Sequence, residues 1–288
     1  MLVELAPGSQ LGVYVLESLL GTGAFGVVWL ARRMDPATGV EQRVAIKILH
    51  PEAALSRESV ERFRREAWAL SRLQSPHIAR MYEFLTGAPY GMALVMEYIE
   101  GELLSDVLKR ARFSVEDATG LGIGVLSGLA EMQSIGIIHR DIKPENIILR
   151  PNEDGWYAVI FDFNLSRVKT PKGKMSSLTS VNAAIGTVPY MAPEQLVDAR
   201  RVTEASDVYS TAAILYRAVA GALPFDTRES LREKLQQEAK PLSTGRHDAI
   251  AKGFEAAVGK GLRRRPVDRF PNAQAMLDQL TALVGQSQ

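Results

Sequence analysis

Apolar and polar positions along this chain follow two different rhythms, and the change from one to the other divides it. From Tyr14 to Leu49 apolar residues come in short runs between turn-rich stretches, which predicts strands over Tyr14–Leu20, Val27–Arg33 and Val44–Leu49, an antiparallel beginning. The period then lengthens: Val60, Phe63, Ala67 and Leu70 form one stripe of a helix from about Glu58 to Leu73. Gly91 to Tyr98 reads as another buried strand, which Glu97-Tyr98-Ile99-Glu100-Gly101 then breaks as a hinge between lobes. Helical spacing takes over beyond the break. Ser114 with Asp117 marks an N-cap, Ala118, Leu121, Val125, Leu129 and Met132 make one stripe, and Gly136 closes it. Tyr157 to Phe163 is strand-like again, Val208 to Ala220 is apolar on nearly every side, as in a helix buried all round, and stripes at Leu231–Leu235, Ile250–Val258 and Met276–Leu283 predict further helices.

Against this background a few polar groups stand where the pattern points inward. Lys47 sits in the almost wholly apolar strand Val44–Leu49, so its ammonium is drawn inward and needs a partner. Glu66 lies on the apolar stripe of the next helix, three residues from Phe63 and four from Leu70, and an inward carboxylate beside an inward ammonium suggests an ion pair at a phosphate site. Read from the helix alone, Glu66 is first of all a solvated charge. Asp162 is an acid in a run of Val, Ile and Phe, where burial is costly without a cation, which makes it a candidate magnesium ligand.

The densest chemistry lies in His139-Arg140-Asp141-Ile142-Lys143-Pro144-Glu145-Asn146. Pro144 forbids a helix through it, and the apolar pairs and triples on either side pin it as a loop. On such a loop Asp141 can accept a proton from an alcohol, Lys143 can neutralise phosphate oxygens, and the carbonyl oxygen of Asn146 can ligate a hard cation such as magnesium. Taken alone, the stretch also fits a surface turn with solvated charges. Gly21, Gly23 and Gly26 form a glycine-x-glycine-x-x-glycine loop through which backbone amides can approach phosphate oxygens. A dinucleotide fold would require a helix directly after it, and Val27-Val28-Trp29-Leu30 favours a strand instead.

Composition adds exclusions. Thirty-four Lys and Arg against thirty-three Asp and Glu leave a net charge of +1, so nothing global points to nucleic acid or a membrane surface. The chain has no cysteine, hence no disulfide or thiolate metal site, and its four histidines lack zinc-ligand spacing. The expectation is a soluble, cytoplasmic segment without a signal peptide or membrane span, long enough for one large domain or two lobes.

Together these motifs resemble, in order and over about residues 11 to 283, a eukaryotic-type (Hanks-type) serine/threonine protein kinase of bacterial style. The resemblance implies an α+β bilobal fold, with a small antiparallel-sheet N-lobe carrying one main helix and a larger, mainly helical C-lobe. It implies a lead-in at 1–10, an N-lobe at 11–97, a hinge at 98–101, a C-lobe at 102–283 with an activation segment at 162–194, and a tail at 284–288. Carried over, Gly21, Gly23 and Gly26 cover the phosphates of ATP, and Lys47 holds the α and β phosphates and pairs with Glu66. Asp141 orients and deprotonates the substrate hydroxyl, Lys143 meets the γ phosphate, and Asn146 and Asp162 hold Mg2+. Leu20, Val28, Ala45, Met96 as gatekeeper, and Ile148 enclose the adenine, while backbone groups of Glu97 and Ile99 bind its edge. Glu194 and Arg269 resemble a buried structural ion pair, and Asp207 resembles the acid that opens the central helix and anchors the catalytic loop.

The implied partners are protein substrates. Lys143 together with Gly186-Thr187 ahead of Ala192-Pro193-Glu194 favours serine or threonine over tyrosine, and a homodimer is the implied route to autophosphorylation in trans. Between Arg167 and Lys174 come four basic residues, and Thr170, Ser176, Ser177, Thr179 and Ser180 supply hydroxyls. Arg140 would collect phosphate from this loop, with Thr179 first and Ser180 second as phosphosites and Thr187 as a structural contact to Asp141 and Lys143. Two residues depart from the pattern: Asn164 follows Asp162-Phe163 where the family has glycine, and Ala212 replaces a usual glycine in the buried helix. Asn164 is the one change that favours a pseudokinase, a nucleotide-binding regulatory module, while a small-molecule phosphotransferase would not be expected to carry the peptide-binding segment Gly186–Glu194.

Overall fold

The computed structural model describes residues 5–23, 26–35, 37–87, 91–153, 155–162, 188–225 and 234–285. Its contacts divide the chain into two units, Met1–Glu100 and Gly101–Gln288.

The first unit is built on one antiparallel sheet with strand order β1-β2-β3-β4-β6-β5. Its strands are β1 (Gln10–Leu11), β2 (Tyr14–Thr22), β3 (Gly26–Met34), β4 (Glu41–Leu49), β5 (Met81–Gly87) and β6 (Gly91–Glu97). Period-two alternation along β4 decides what faces where: Val44, Ile46 and Ile48 are buried in a core with Leu11, Tyr14, Leu16, Trp29, Ala31, Ala93 and Val95. Ala45 and Lys47 therefore take the opposite face, with Leu30 and Met96 flanking Ala45 and Val28 and Leu94 flanking Lys47 in register. A short helix α1 (Pro51–Ala54) precedes α2 (Arg57–Leu70), where the Ser56 hydroxyl accepts from the Ser59 N–H at 3.3 Å. Helix α2 stops three residues before the predicted Leu73, which is buried in the turn that follows. Strand β5 was not predicted. It is a sheet edge with no fully buried position, so it lacks the alternation that betrays a half-buried strand.

In the second unit, β7 (Glu102–Leu103), β8 (Ile147–Asn152) and β9 (Gly155–Ile160) form a small antiparallel sheet. The helices are α3 (Leu104–Arg110), α4 (Val115–Ser134), α5 (Pro193–Val197), α6 (Glu204–Ala220), α7 (Ala249–Gly261) and α8 (Ala273–Val284). The predicted start of α4 is observed: the Ser114 hydroxyl accepts from the Asp117 N–H at 2.9 Å. Helix α6 is buried on all sides, as its lack of a polar face demands, and α4 and α7 pack against it. Strand β9 ends at Ile160, so Asp162 stands beyond the strand predicted to run to Phe163, which lies outside the described residues. Of the stripe Leu231–Leu235 only residues 234 and 235 are described, in a helical turn over 234–236.

Ala212, one of the two departures, is fully buried in α6. Its methyl has room because Gly261 ends α7 opposite it: a β-carbon at Gly261 would come within 2.7 Å of the Ala212 Cβ. Gly261→Ala should overpack this crossing, and Ala212→Gly should relieve it, with a coupling energy of about 1–3 kcal/mol in a double-mutant cycle read by urea unfolding. Additive effects of the two substitutions would show that the residues do not share this space.

Candidate active site

In the first unit Lys47 and Glu66 form the ion pair that the sequence suggests. Its Nζ lies 2.7 Å from Oε1 of Glu66, and the two side chains are only 14% and 10% exposed. Helix α2 turns Glu66 inward because Phe63, Ala67 and Leu70 on the same stripe are buried. Burying such a pair costs desolvation of both charges, so it is a weak device for stability. Its value lies in holding an ammonium at a fixed point on the sheet face.

The three loop glycines differ in kind. A β-carbon at Gly26 would run into the carbonyl oxygen of Ile48, so the β3–β4 approach itself requires this glycine. Among the described residues Gly21 has no such neighbour, and a β-carbon at Gly23 would meet only the Gly26 carbonyl at 3.7 Å. The loop closes on itself, Gly23 N–H donating to the Gly26 carbonyl at 2.8 Å, and His50 Nε2 lies 3.1 Å from the Gly23 carbonyl, a contact the sequence did not suggest. Val28, Ala45 and Met96 are half-buried, Leu20 is exposed, and Ile99 is buried. The Glu97 N–H donates to the Arg80 carbonyl at 2.8 Å, so its donor is committed.

In the second unit the loop from His139 to Asn146 is held from below by α6. Asp207, in the first turn of that helix, accepts from the N–H of His139 at 2.9 Å and of Arg140 at 2.8 Å. Burial pushes the Asp207 carboxyl up to about 6, against the pull of these same backbone N–H groups. Burial also pushes His139 down to about 4, so its ring is neutral at ordinary pH, and its Nδ1 accepts from the Asp141 N–H at 3.3 Å. On this clamp Asp141 meets its partners. Lys143 Nζ lies 3.1 Å from Asp141 Oδ2, and Asn146 Nδ2 donates to the Asp141 carbonyl at 2.8 Å and reaches Oδ2 at 3.4 Å.

Because the amide nitrogen of Asn146 is directed at Asp141, its Oδ1 is the atom turned to other duties. The Asn146 carbonyl accepts from the Phe161 N–H at 3.0 Å, tying this loop to the residue before Asp162. Asn146 and Asp162 thus offer oxygen donors only, the chemistry a hard cation such as magnesium selects. Arg140 (φ 68°) and Asp162 (φ 57°) are the only non-glycine residues at positive φ among the described residues. Each such backbone costs of order 1 kcal/mol, and here both flank the chemical groups. Ile148 is half-buried on β8, opposite Leu103 and Val159.

Glu194 and Arg269 form a bidentate pair with both bonds at 2.8 Å, and the remaining guanidinium donors go to the carbonyls of Arg263, Ala205 and Arg264. All five N–H groups are satisfied, which is what makes a buried arginine tolerable. Gln195 was missed from sequence. Its side chain accepts from the Ala192 N–H at 2.9 Å and donates to the Arg140 carbonyl at 2.8 Å, linking the segment before α5 to the residue beside Asp141. A glutamine in the third position of a helix is a capping signal, but its second bond spans 55 residues and has no local trace. Asn164, Thr170, Ser176, Ser177, Thr179, Ser180 and Thr187 lie outside the described residues.

Comparison with known proteins shows the family of the chain. A family model described as protein kinase domain matches residues 14–280. Serine/threonine-protein kinase pkn3 of Myxococcus xanthus is 31% identical over 278 residues, covering 94% of this chain and 50% of that protein. Serine/threonine-protein kinase PknH of Mycobacterium tuberculosis is 32% identical over 270 residues, covering 92% of this chain and 41% of that protein. The chain therefore spans half or less of the length of these relatives. Among solved structures, the Mycobacterium tuberculosis PknI kinase domain superposes with a TM-score of 0.66 at 22% identity, over 97% of this chain and all of that one, a likeness of fold.

Proposed function

Since the chain belongs to the protein kinase domain family, we propose that it is an ATP- and Mg2+-dependent serine/threonine protein kinase, moving the γ-phosphoryl group of ATP to protein hydroxyls. The observation that carries this reading is the grouping of Asp141, Lys143 and Asn146 within 3.1 Å contacts on a loop clamped by Asp207. Asp141 orients the substrate hydroxyl and takes its proton, and Lys143 neutralises charge on the transferring group. Lys47, fixed by Glu66, holds the α and β phosphates under the loop of Gly21, Gly23 and Gly26. Asn146 and Asp162 would hold magnesium, which when bound neutralises phosphate oxygens. Leu20, Val28, Ala45, Met96 and Ile148 are assigned to the adenine, with the backbone of Glu97 and Ile99. Lys143 beside the acid, and relatives named serine/threonine-protein kinases, support the choice of acceptor.

The same reading includes a cytoplasmic location, a homodimer for autophosphorylation in trans, and Thr179, then Ser180, as acceptors on the activation loop. No helix among the described residues is long and apolar enough to cross a membrane. Incubating the purified chain with γ-labelled ATP and magnesium, alone and with myelin basic protein, is the test. Label on serine or threonine is expected, with Thr179 among the mapped sites. Bound nucleotide without any transfer would replace this reading with the regulatory nucleotide-binding module, and label confined to small molecules would exclude it.

A further inference from the structure

Lys234 is 1% exposed, yet among the described residues no carboxylate pairs with it. Its ammonium donates instead to three backbone carbonyls of one short segment: Val188 at 2.8 Å, Pro189, and Met191 at 3.2 Å. The rings of Tyr209 and Phe225 lie 5.7 and 6.0 Å from it. A buried cation without a counter-ion is costly, and a methionine of similar length would fill the same space more cheaply. What the ammonium alone supplies is three donors converging on three carbonyls.

Those carbonyls belong to the 3-10 turn Val188–Tyr190 and the residue after it. The turn is held again where Arg217 of α6 donates to the Tyr190 hydroxyl, and just beyond Met191 the chain is held where Gln195 joins Ala192 to the Arg140 carbonyl. Lys234 thus fixes one end of a chain of contacts that reaches the residue beside Asp141. While Tyr190 is buried, Val188 and Pro189 are only half-buried, so the carbonyls are drawn inward and part of the turn stays accessible.

We infer that Lys234 is a positioning residue for the protein substrate: by gathering the carbonyls of Val188, Pro189 and Met191 it sets the shape of the segment that receives the substrate chain. This rests on the reading of the chain as a protein kinase whose segment before Glu194 meets the substrate. Removing the ammonium then weakens capture of protein without weakening capture of ATP.

The protonation state gives the inference a second signature. Burial pushes Lys234 down to about 7, and a neutral amine has two donors for three carbonyls, so the turn loosens as pH rises through neutrality. Stability moves the other way. The folded value lies below the ordinary 10.5, so the unfolded chain binds more protons between about 7 and 10.5, and this group's contribution to stability rises with pH over that window. Among the described residues, the charged groups near it are Arg269, which stacks on the same Tyr209 ring at 4.8 Å and is paired with Glu194, and Glu238, whose charge acts on the Tyr209 hydroxyl.

The experiment compares the wild-type chain with Lys234→Met and Lys234→Gln, measuring KM for myelin basic protein and for ATP from pH 6 to 9, with thermal melts at each pH. Lys234→Met should raise KM for the protein at least tenfold at pH 6.5 while KM for ATP stays within twofold. The wild-type KM for protein should climb towards the variant's value by pH 9, and the variants should stay flat. Equal rises in both KM values, a loss in kcat alone, or an unchanged protein KM would overturn the inference. If Lys234→Met does not fold, Lys234→Gln carries the same comparison. Should the wild type transfer no phosphate to protein, the kinase reading has failed separately. Hydrogen exchange at the Tyr190 and Met191 amides then decides whether Lys234 shapes the turn, with unchanged exchange in both variants refuting it.

Discussion

Asp141→Asn is expected to lower phosphoryl transfer to protein by about 100- to 10,000-fold, the range that removal of a general base commands, while the melting temperature moves by only a few degrees. The carboxamide has the shape of the carboxylate, so the bond from Asn146 to the Asp141 carbonyl and the bond from the Asp141 N–H to His139 both survive. What is lost is an oxygen that can accept a proton and that faces the Lys143 ammonium at 3.1 Å. The carboxamide oxygen of asparagine can still accept from the Lys143 ammonium, so a hydrogen-bond partner is kept and the stability cost is modest. His139 cannot substitute as base: its burial keeps it neutral but also encloses it, at 1% exposure, within the protein. A variant that kept a third of wild-type activity, with the same fold by circular dichroism, would place the base elsewhere.

How much of this was legible beforehand depended on whether the physical signal was local. Lys47 and Glu66 could be paired from sequence because each is a charge set on an otherwise apolar face, and two such misfits need one another. The Ser114 cap and the burial of α6, apolar on nearly every side from Val208 to Ala220, were legible for the same reason, since the signal lies within one turn or one helix. Gly26 was read through ligand chemistry alone, whereas its lack of a side chain is also required by the Ile48 carbonyl across the sheet, a neighbour that no local pattern names. Lys234 stayed hidden inside an ordinary helical stripe, where a lysine normally means a solvated face. Its three carbonyl partners lie 43 to 46 residues away, so nothing near it in sequence marks it as buried. Asp207 entered only through family resemblance, because an acid in the first turn of a helix is common and stabilising in itself. Asp162 was found as an acid in an apolar run, but it stands beyond the end of the strand and at positive φ, a backbone state that hydrophobic periodicity does not report.

Lys47→Met should abolish nearly all transfer as well, and here structure and chemistry can be separated. The substitution leaves Glu66, 10% exposed, without the ammonium 2.7 Å from it. Removing one partner of a buried ion pair costs up to about 3–5 kcal/mol, so a fall in activity alone could reflect a loosened α2. Replacing both partners distinguishes the causes. In Lys47→Met/Glu66→Leu the buried carboxylate is gone as well and a leucine joins the stripe of Phe63, Ala67 and Leu70, so urea unfolding should recover most of the lost stability. Activity should not recover with it, because the methionine still presents no charge to a phosphate. Glu66→Gln alone should fall between, keeping the ammonium but fixing it less firmly, with KM for ATP raised. If the double variant regained both stability and turnover, Lys47 would be a structural residue and the phosphate contact would have to be sought on another strand.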